Sequence, residues 1–239
     1  MMIRSLILAG AVVLGSAALG VFAWRHGAIG PVPAPGGQRV VMPAGEVPHR
    51  PARHIVILGA SLTSGQAWPG DLQRALRACA PDVVVQPLAR AGKGSGWGRA
   101  ALARYLQLAR PDTVIVQFAG NDASLAHGLS LGASKANLRA MVEMARAAGA
   151  RVFLATMSPA FGRNAAERPG LARYLGLYRQ IAAETGAGLI DTVGGWQSLS
   201  AAQRTALMPD GLHPTPEGHD RITLPAYLKA LQPPVCPGQ

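Results

Sequence analysis

Directly after an apolar run, Ile55-Val56-Ile57-Leu58, a serine stands in the stretch Gly59-Ala60-Ser61-Leu62-Thr63-Ser64-Gly65. Glycines on either side permit a tight turn, and a hydroxyl presented at a strand end is placed to attack an electrophile. Taken alone, such a serine would equally serve as a helix N-cap. It is also not the Gly-x-Ser-x-Gly elbow, because Thr63 occupies the last position. A hydroxyl is a poor nucleophile at neutral pH. It needs an imidazole to take its proton and a carboxylate to set the ring's tautomer and stabilise its charged form. Asp210-Gly211-Leu212-His213-Pro214 carries both groups three residues apart. On a turn that spacing lets the two side chains point the same way; the plainer reading is an Asx turn beside a helix start.

Acyl transfer also needs donors aimed at the oxyanion that forms, one such donor being worth about 3 kcal/mol. Asn121, in Ala119-Gly120-Asn121-Asp122, is a side-chain amide of this type. Gly92, in Ala91-Gly92-Lys93-Gly94, would let a backbone N–H approach a ligand closely, or would only turn the chain.

Elements that would carry these residues are legible in the apolar pattern. Short runs rich in β-branched residues at 54–58, 83–88, 113–118, 152–156 and 188–191 predict buried strands. Helical patterns fit 68–79, 99–108, 134–148, 171–184 and 216–231. The clearest is 134–148, where Leu138, Met141, Val142 and Ala145 form one face. Strand and helix alternate about five times, which predicts an α/β fold: a three-layer α/β/α sandwich around a parallel sheet of about five strands. In such sheets, working residues gather beyond the carboxyl ends of the strands.

In chain order, GASL at 59–62, the glycine loop around Gly92, AGND at 119–122 and DGLH at 210–213 resemble the blocks of the SGNH hydrolases, also called the GDSL family. The resemblance spans roughly residues 54–231. It implies a flavodoxin-like sandwich and a serine esterase that works through an acyl-serine intermediate without a metal or cofactor. By that resemblance Ser61 is the nucleophile, His213 its base and Asp210 the base's partner. The N–H groups of Ser61 and Gly92, with the Asn121 amide, form the oxyanion hole. Two alternatives accompany it: an O-acyltransferase acting on a carbohydrate hydroxyl, and a catalytically silent binding module of the same fold. Two positions depart from the family pattern. Ala60 stands where an Asp usually precedes the serine, and Ala119 where a Gly usually stands two residues before the asparagine.

The 239 residues are enough for one substantial core, with a net charge of +11. The basic residues are nearly all arginine and are dispersed, and aromatics are only 5% of the chain. With neither a basic stripe nor stacking aromatics, nucleic-acid binding is not expected. Expected partners are an ester-bearing small molecule, a lipid or an acylated carbohydrate. Residues 5–24, SLILAGAVVLGSAALGVFAW, carry no charge and would span about 30 Å as a helix. They read as an export signal, cleaved or kept as a membrane anchor, which implies a periplasmic, secreted or membrane-tethered protein. This divides the chain into a signal or anchor at 1–26, a Pro/Gly-rich linker at 27–53 and a catalytic domain at 54–239. Cys79 and Cys236 lack metal-type spacing; in an oxidising compartment they either pair or stay as separate thiols. Trp97 and Phe161 either line a substrate pocket or pack. His219 reads as a surface histidine, and His54 and His127 are left without a role.

Overall fold

Along each central strand, successive side chains feed two different cores. In the computed structural model, which describes residues 37–44 and 51–236, a six-stranded sheet is covered on both faces by helices. Its strands are β1 (Arg39–Val41), β2 (His54–Gly59), β3 (Val84–Ala89), β4 (Thr113–Val116), β5 (Arg151–Ala155) and β6 (Gly188–Asp191). The helices are α1 (Trp68–Leu76), α2 (Ser95–Leu108), α3 (Ala119–Asp122), α4 (Leu131–Ala147) and α5 (Gly162–Ala166). They continue with α6 (Leu171–Thr185), α7 (Val193–Gln197), α8 (Ala201–Leu207), α9 (Pro216–Gly218) and α10 (Leu224–Val235). Leu58, Val114, Val116, Val152 and Leu154 pack against α2, α4 and α6. The alternate residues Ile55, Ile57, Ile115, Phe153 and Ile190 pack against α1 and α10. Burial on both sides is why these strands read as unbroken apolar runs instead of alternating ones.

The order across the sheet is β1-β6-β5-β4-β2-β3, and β2 through β6 are parallel. These are the five expected strands. From β2 the chain steps outward to β3, then crosses back over β2 to reach β4. The winding therefore reverses between β2 and β4, and a crevice opens beyond their carboxyl ends, where open α/β sheets place their ligands. Ser61 follows β2 and Asn121 follows β4, so topology brings the two to one place.

Three local outcomes differ from the sequence expectation. Within the 27–53 stretch read as a linker, Arg39–Val41 pairs antiparallel with β6 as a sixth, edge strand. Its short β-branched run is too brief to stand out between Gly37 and Pro43. The seat is tight: a Cβ at Gly194 would lie 2.1 Å from the Gly37 carbonyl oxygen, so the two segments meet backbone to backbone. Helix α2 starts at Ser95, earlier than the expected 99, because its glycine-rich first turn is held by an outside contact described below. The last helix is interrupted: a π-helical turn, His219–Thr223, separates α9 from α10. Pro225 has no N–H to donate and its ring crowds the carbonyl four residues back, so the wider turn accommodates it.

Cys79 and Cys236 are disulfide-bonded, with Cα atoms 5.8 Å apart, which ties the end of α10 to the segment after α1. Among the described residues no helix is long and apolar enough to cross a membrane. The apolar segment at 5–24 lies outside the described residues, as does most of the 27–53 stretch.

Candidate active site

Ser61 is the second residue of the turn that leaves β2. The Ala60 carbonyl accepts the N–H of Thr63 and of Ser64, closing that turn and lifting Ser61 out of the sheet. Gly59 is required for it: a Cβ there would lie 2.6 Å from Thr63 Oγ1. Across the crevice, Ser61 Oγ lies 2.8 Å from His213 Nε2. His213 Nδ1 lies 2.6 Å from Asp210 Oδ2. With Nδ1 protonated toward Asp210, Nε2 is the lone-pair nitrogen facing the serine hydroxyl, the tautomer that proton removal needs.

The loop at 210–213 enforces this line. Asp210 Oδ1 accepts the backbone N–H of Leu212 at 2.8 Å and of His213 at 2.7 Å, leaving Oδ2 for the ring. The expected Asx turn and the carboxylate–imidazole pairing are thus one structure. Gly211 has φ +77°, and a Cβ there would lie 2.4 Å from the Phe161 carbonyl oxygen, so only glycine fits between the two ends of the motif. Burial by itself raises the Asp210 pKa, but donation from the His213 N–H, the His213 ring and the Leu212 N–H outweighs it. The net result is a carboxyl held below its ordinary range, charged wherever the imidazole needs it.

Asn121 lies on α3, the short helix after β4, and lines a cleft of ≈ 300 Å³ with Ala60, Ser61, Leu62, Phe118, Met157 and Leu212 among its walls. Its Nδ2 donates to the Lys93 carbonyl at 2.9 Å, which sets the amide's orientation and leaves a second N–H on the same nitrogen. Gly92, one residue before that carbonyl, has φ +73° and open space within 4 Å of its Cβ position. It is not among the cleft-lining residues; its loop is joined to the site through the Asn121–Lys93 bond. Ala60 and Ala119 are both buried, and both belong to the larger apolar core.

One residue of the site escaped the sequence reading. Asp122 is buried, accepting the Ser95 N–H at 2.7 Å on Oδ1 and the Ser134 hydroxyl at 2.6 Å on Oδ2. It pins the first turn of α2, and with it the glycine loop, to the asparagine's own helix. A carboxylate next to Asn121, with one serine at the start of the preceding helix α2 and another in the first turn of the following helix α4, was the available signal. Other candidates fall elsewhere. Trp97 packs edge-on against Phe118, and Phe161 lies under the Arg204 guanidinium at 5.2 Å. His54 bonds the Tyr105 hydroxyl at 2.8 Å from the amino end of β2, across the sheet from the site. His219 is buried, not exposed: it stacks on Trp68 at a centroid distance of 5.9 Å. A second pocket bounded by Leu62, Met157, Pro214 and His219 adjoins the cleft.

Residues 57–221 match the family model described as GDSL-like lipase/acylhydrolase. The chain belongs to that family. As a member it is an ester-cleaving serine hydrolase, in agreement with the resemblance in its motifs. A curated relative, esterase TesA of Pseudomonas aeruginosa, is 27% identical over 183 residues, which cover 72% of this chain and 84% of that protein. Among solved structures, the lipase/acylhydrolase from Enterococcus faecalis superposes with a TM-score of 0.66 at 24% identity, covering 74% of this chain and 94% of that one. The esterase EstA from Pseudoalteromonas sp., inhibited by monoethylphosphonate, superposes with a TM-score of 0.59 at 25% identity, over 74% of this chain and 96% of that one.

Proposed function

We propose that this GDSL acylhydrolase cleaves its ester through Ser61, His213 and Asp210, with Asn121, Gly92 and the Ser61 N–H stabilising the oxyanion. The single observation that carries the reading is the continuous hydrogen-bonded line from Ser61 Oγ through the His213 ring to Asp210, at 2.8 and 2.6 Å. Ser61 Oγ attacks the acyl carbonyl carbon while its proton passes to His213 Nε2. The imidazolium so formed faces a carboxylate already charged, which lowers the energy of that step. Negative charge gathers on the former carbonyl oxygen, where the second Asn121 N–H and backbone N–H groups receive it. On collapse the ester C–O bond breaks, and the Nε2 proton goes to the leaving alkoxide to give the alcohol. Water then repeats the sequence on the acyl-serine: its proton goes to His213, its oxygen to the acyl carbon, and Ser61 regains its proton as the carboxylic acid departs.

The acyl group belongs in the cleft walled by Leu62, Phe118, Met157 and Leu212, an apolar lining that favours a short alkyl chain over a charged one. Transfer to a carbohydrate hydroxyl has nothing specific in its favour, since the relatives above are named as esterases. A silent binding module would have no need of a serine aligned on an imidazole–carboxylate pair. Export is part of the same proposal. It is supported by the uncharged segment 5–24 and by the Cys79–Cys236 bond, a pairing that persists in oxidising compartments.

The test is reaction of the full chain with a fluorophosphonate probe, with the labelled residue located by mass spectrometry, alongside turnover of p-nitrophenyl esters of increasing chain length. Labelling at Ser61, with turnover falling from short to long chains, is expected. Well-folded protein that neither labels nor turns over would sink the proposed roles, and activity unchanged in Ser61→Ala would move the nucleophile elsewhere.

A further inference from the structure

Between β5 and α6 a strap of chain, Phe161 to Arg168, touches both arms of the site without lining the cleft. Its Phe161 N–H donates to the Gly211 carbonyl at 2.8 Å. Asn164 Nδ2 donates to the Asp210 carbonyl at 2.8 Å. Arg168, whose side chain is only 7% exposed, donates from Nε to the Gly120 carbonyl at 2.9 Å and from Nη1 to Asn164 Oδ1 at 2.7 Å. The Gly120 carbonyl belongs to the same peptide unit as the Asn121 N–H. One buried guanidinium therefore holds the peptide carrying Asn121. Through a single asparagine, it also holds the residue that orients His213.

Burying a guanidinium is costly, and here its best-placed partners are a backbone carbonyl and a neutral amide, while Glu167 stands off at 3.5 Å. An apolar side chain of similar size would fill the space without that cost. What the arginine adds is geometry: a planar fork that reaches two acceptors in fixed directions. We propose that Asn164 and Arg168 are positioning residues that set the distance between the Asn121 arm and the Asp210–His213 arm. The proposal rests on the roles assigned above and extends them to two residues that meet neither substrate nor reacting atoms.

The test compares Asn164→Ala, Arg168→Ala, Arg168→Lys and the double alanine variant of the full-length enzyme, assayed well below the Tm of each. Misplacing a reacting group by about 1 Å costs up to roughly 100-fold, so each alanine change is expected to lower kcat by about 10- to 100-fold with KM within about twofold. Because the two act in one chain of bonds, the double variant should be little worse than Arg168→Ala alone. Added guanidinium should restore Arg168→Ala but not Asn164→Ala. Asn164→Ala should also move the acidic limb of the kcat/KM profile, since it acts on His213 through Asp210; a purely structural residue would lower Tm and leave that limb in place.

Unchanged kcat in both alanine variants, or losses that simply multiply, would overturn the clamp. If Arg168→Ala does not fold, the partly exposed Asn164 decides the question alone. Wild-type protein that fails to label at Ser61 would instead refute the underlying roles, so the two failures are distinguishable.

Discussion

His213 and His219 stand six residues apart in one motif and have opposite surroundings. The His213 side chain is 38% exposed and has partners on both nitrogens, Ser61 and Asp210. His219 is buried; its Nδ1 meets Thr223 Oγ1 at 3.2 Å and its Nε2 has no partner. Burial, and then the nearness of His213, pushes the His219 pKa down to about 4. The first ring faces the Ser61 hydroxyl on one side and, on the other, a carboxylate placed to stabilise an imidazolium. The second is kept neutral as a packing group against Trp68. Side-chain type did not separate them; the loop that gives His213 an Asx-turn carboxylate did.

The sharpest break of this comparison is to remove each ring. Ser61→Ala or His213→Ala should lower kcat by 10⁴-fold or more, on the order of what triad loss costs in serine hydrolases. Removing the second imidazole, in His219→Phe, should leave kcat within about twofold of wild type at neutral pH. Asp210→Asn comes next. The amide preserves the loop but offers Nδ1 the wrong group, and a loss of about 10²- to 10⁴-fold in kcat, with unaltered Tm, would place the difference between the rings in that carboxylate. Asn121→Ala, which touches neither histidine, should cost about 10²- to 10³-fold in kcat through the lost oxyanion donor.

The smallest effect belongs to His219 and is one of stability. Its folded pKa lies below that of the unfolded chain, so the unfolded state binds the extra proton between about pH 6.5 and pH 4. The folded state should therefore lose up to about 3 kcal/mol as pH falls through that window, with no further loss from this group below it. Urea titrations at pH 7, 5.5 and 4 should show the decline in wild type and a shallower one in His219→Phe. Equal slopes would mean that His219 is not held neutral by burial.

Much of this architecture could be read from the chain. The five apolar runs became the five parallel strands, and Leu138, Met141, Val142 and Ala145 are the buried stripe of α4 as their spacing predicted. Ser61, Asp210 and His213 stood out as candidates, and the structure aligns their side chains, because the chemistry restricts residue type and because the Asx turn is local. What escaped has a common cause in long-range contact. The strand at Arg39–Val41 exists only because β6 offers it an edge, and α2 begins early only because Asp122, 27 residues on, accepts the Ser95 N–H. His219 was read as exposed because a lone polar residue near a helix start usually is; only the apposition of Trp68 buries it.

The division between the two sources follows from the range of the forces. Apolar periodicity, glycine at positive φ and the Asp210-to-His213 turn act within a few residues, so sequence alone determined the five parallel strands, the main helices and the orientation of the imidazole. That Ser61 meets His213 across 152 residues depends on the sheet order, which reverses between β2 and β4 and opens the crevice beside the last loop. No local preference encodes that meeting: it results from packing apolar strands and helices into two cores at once, which only the assembled chain can do.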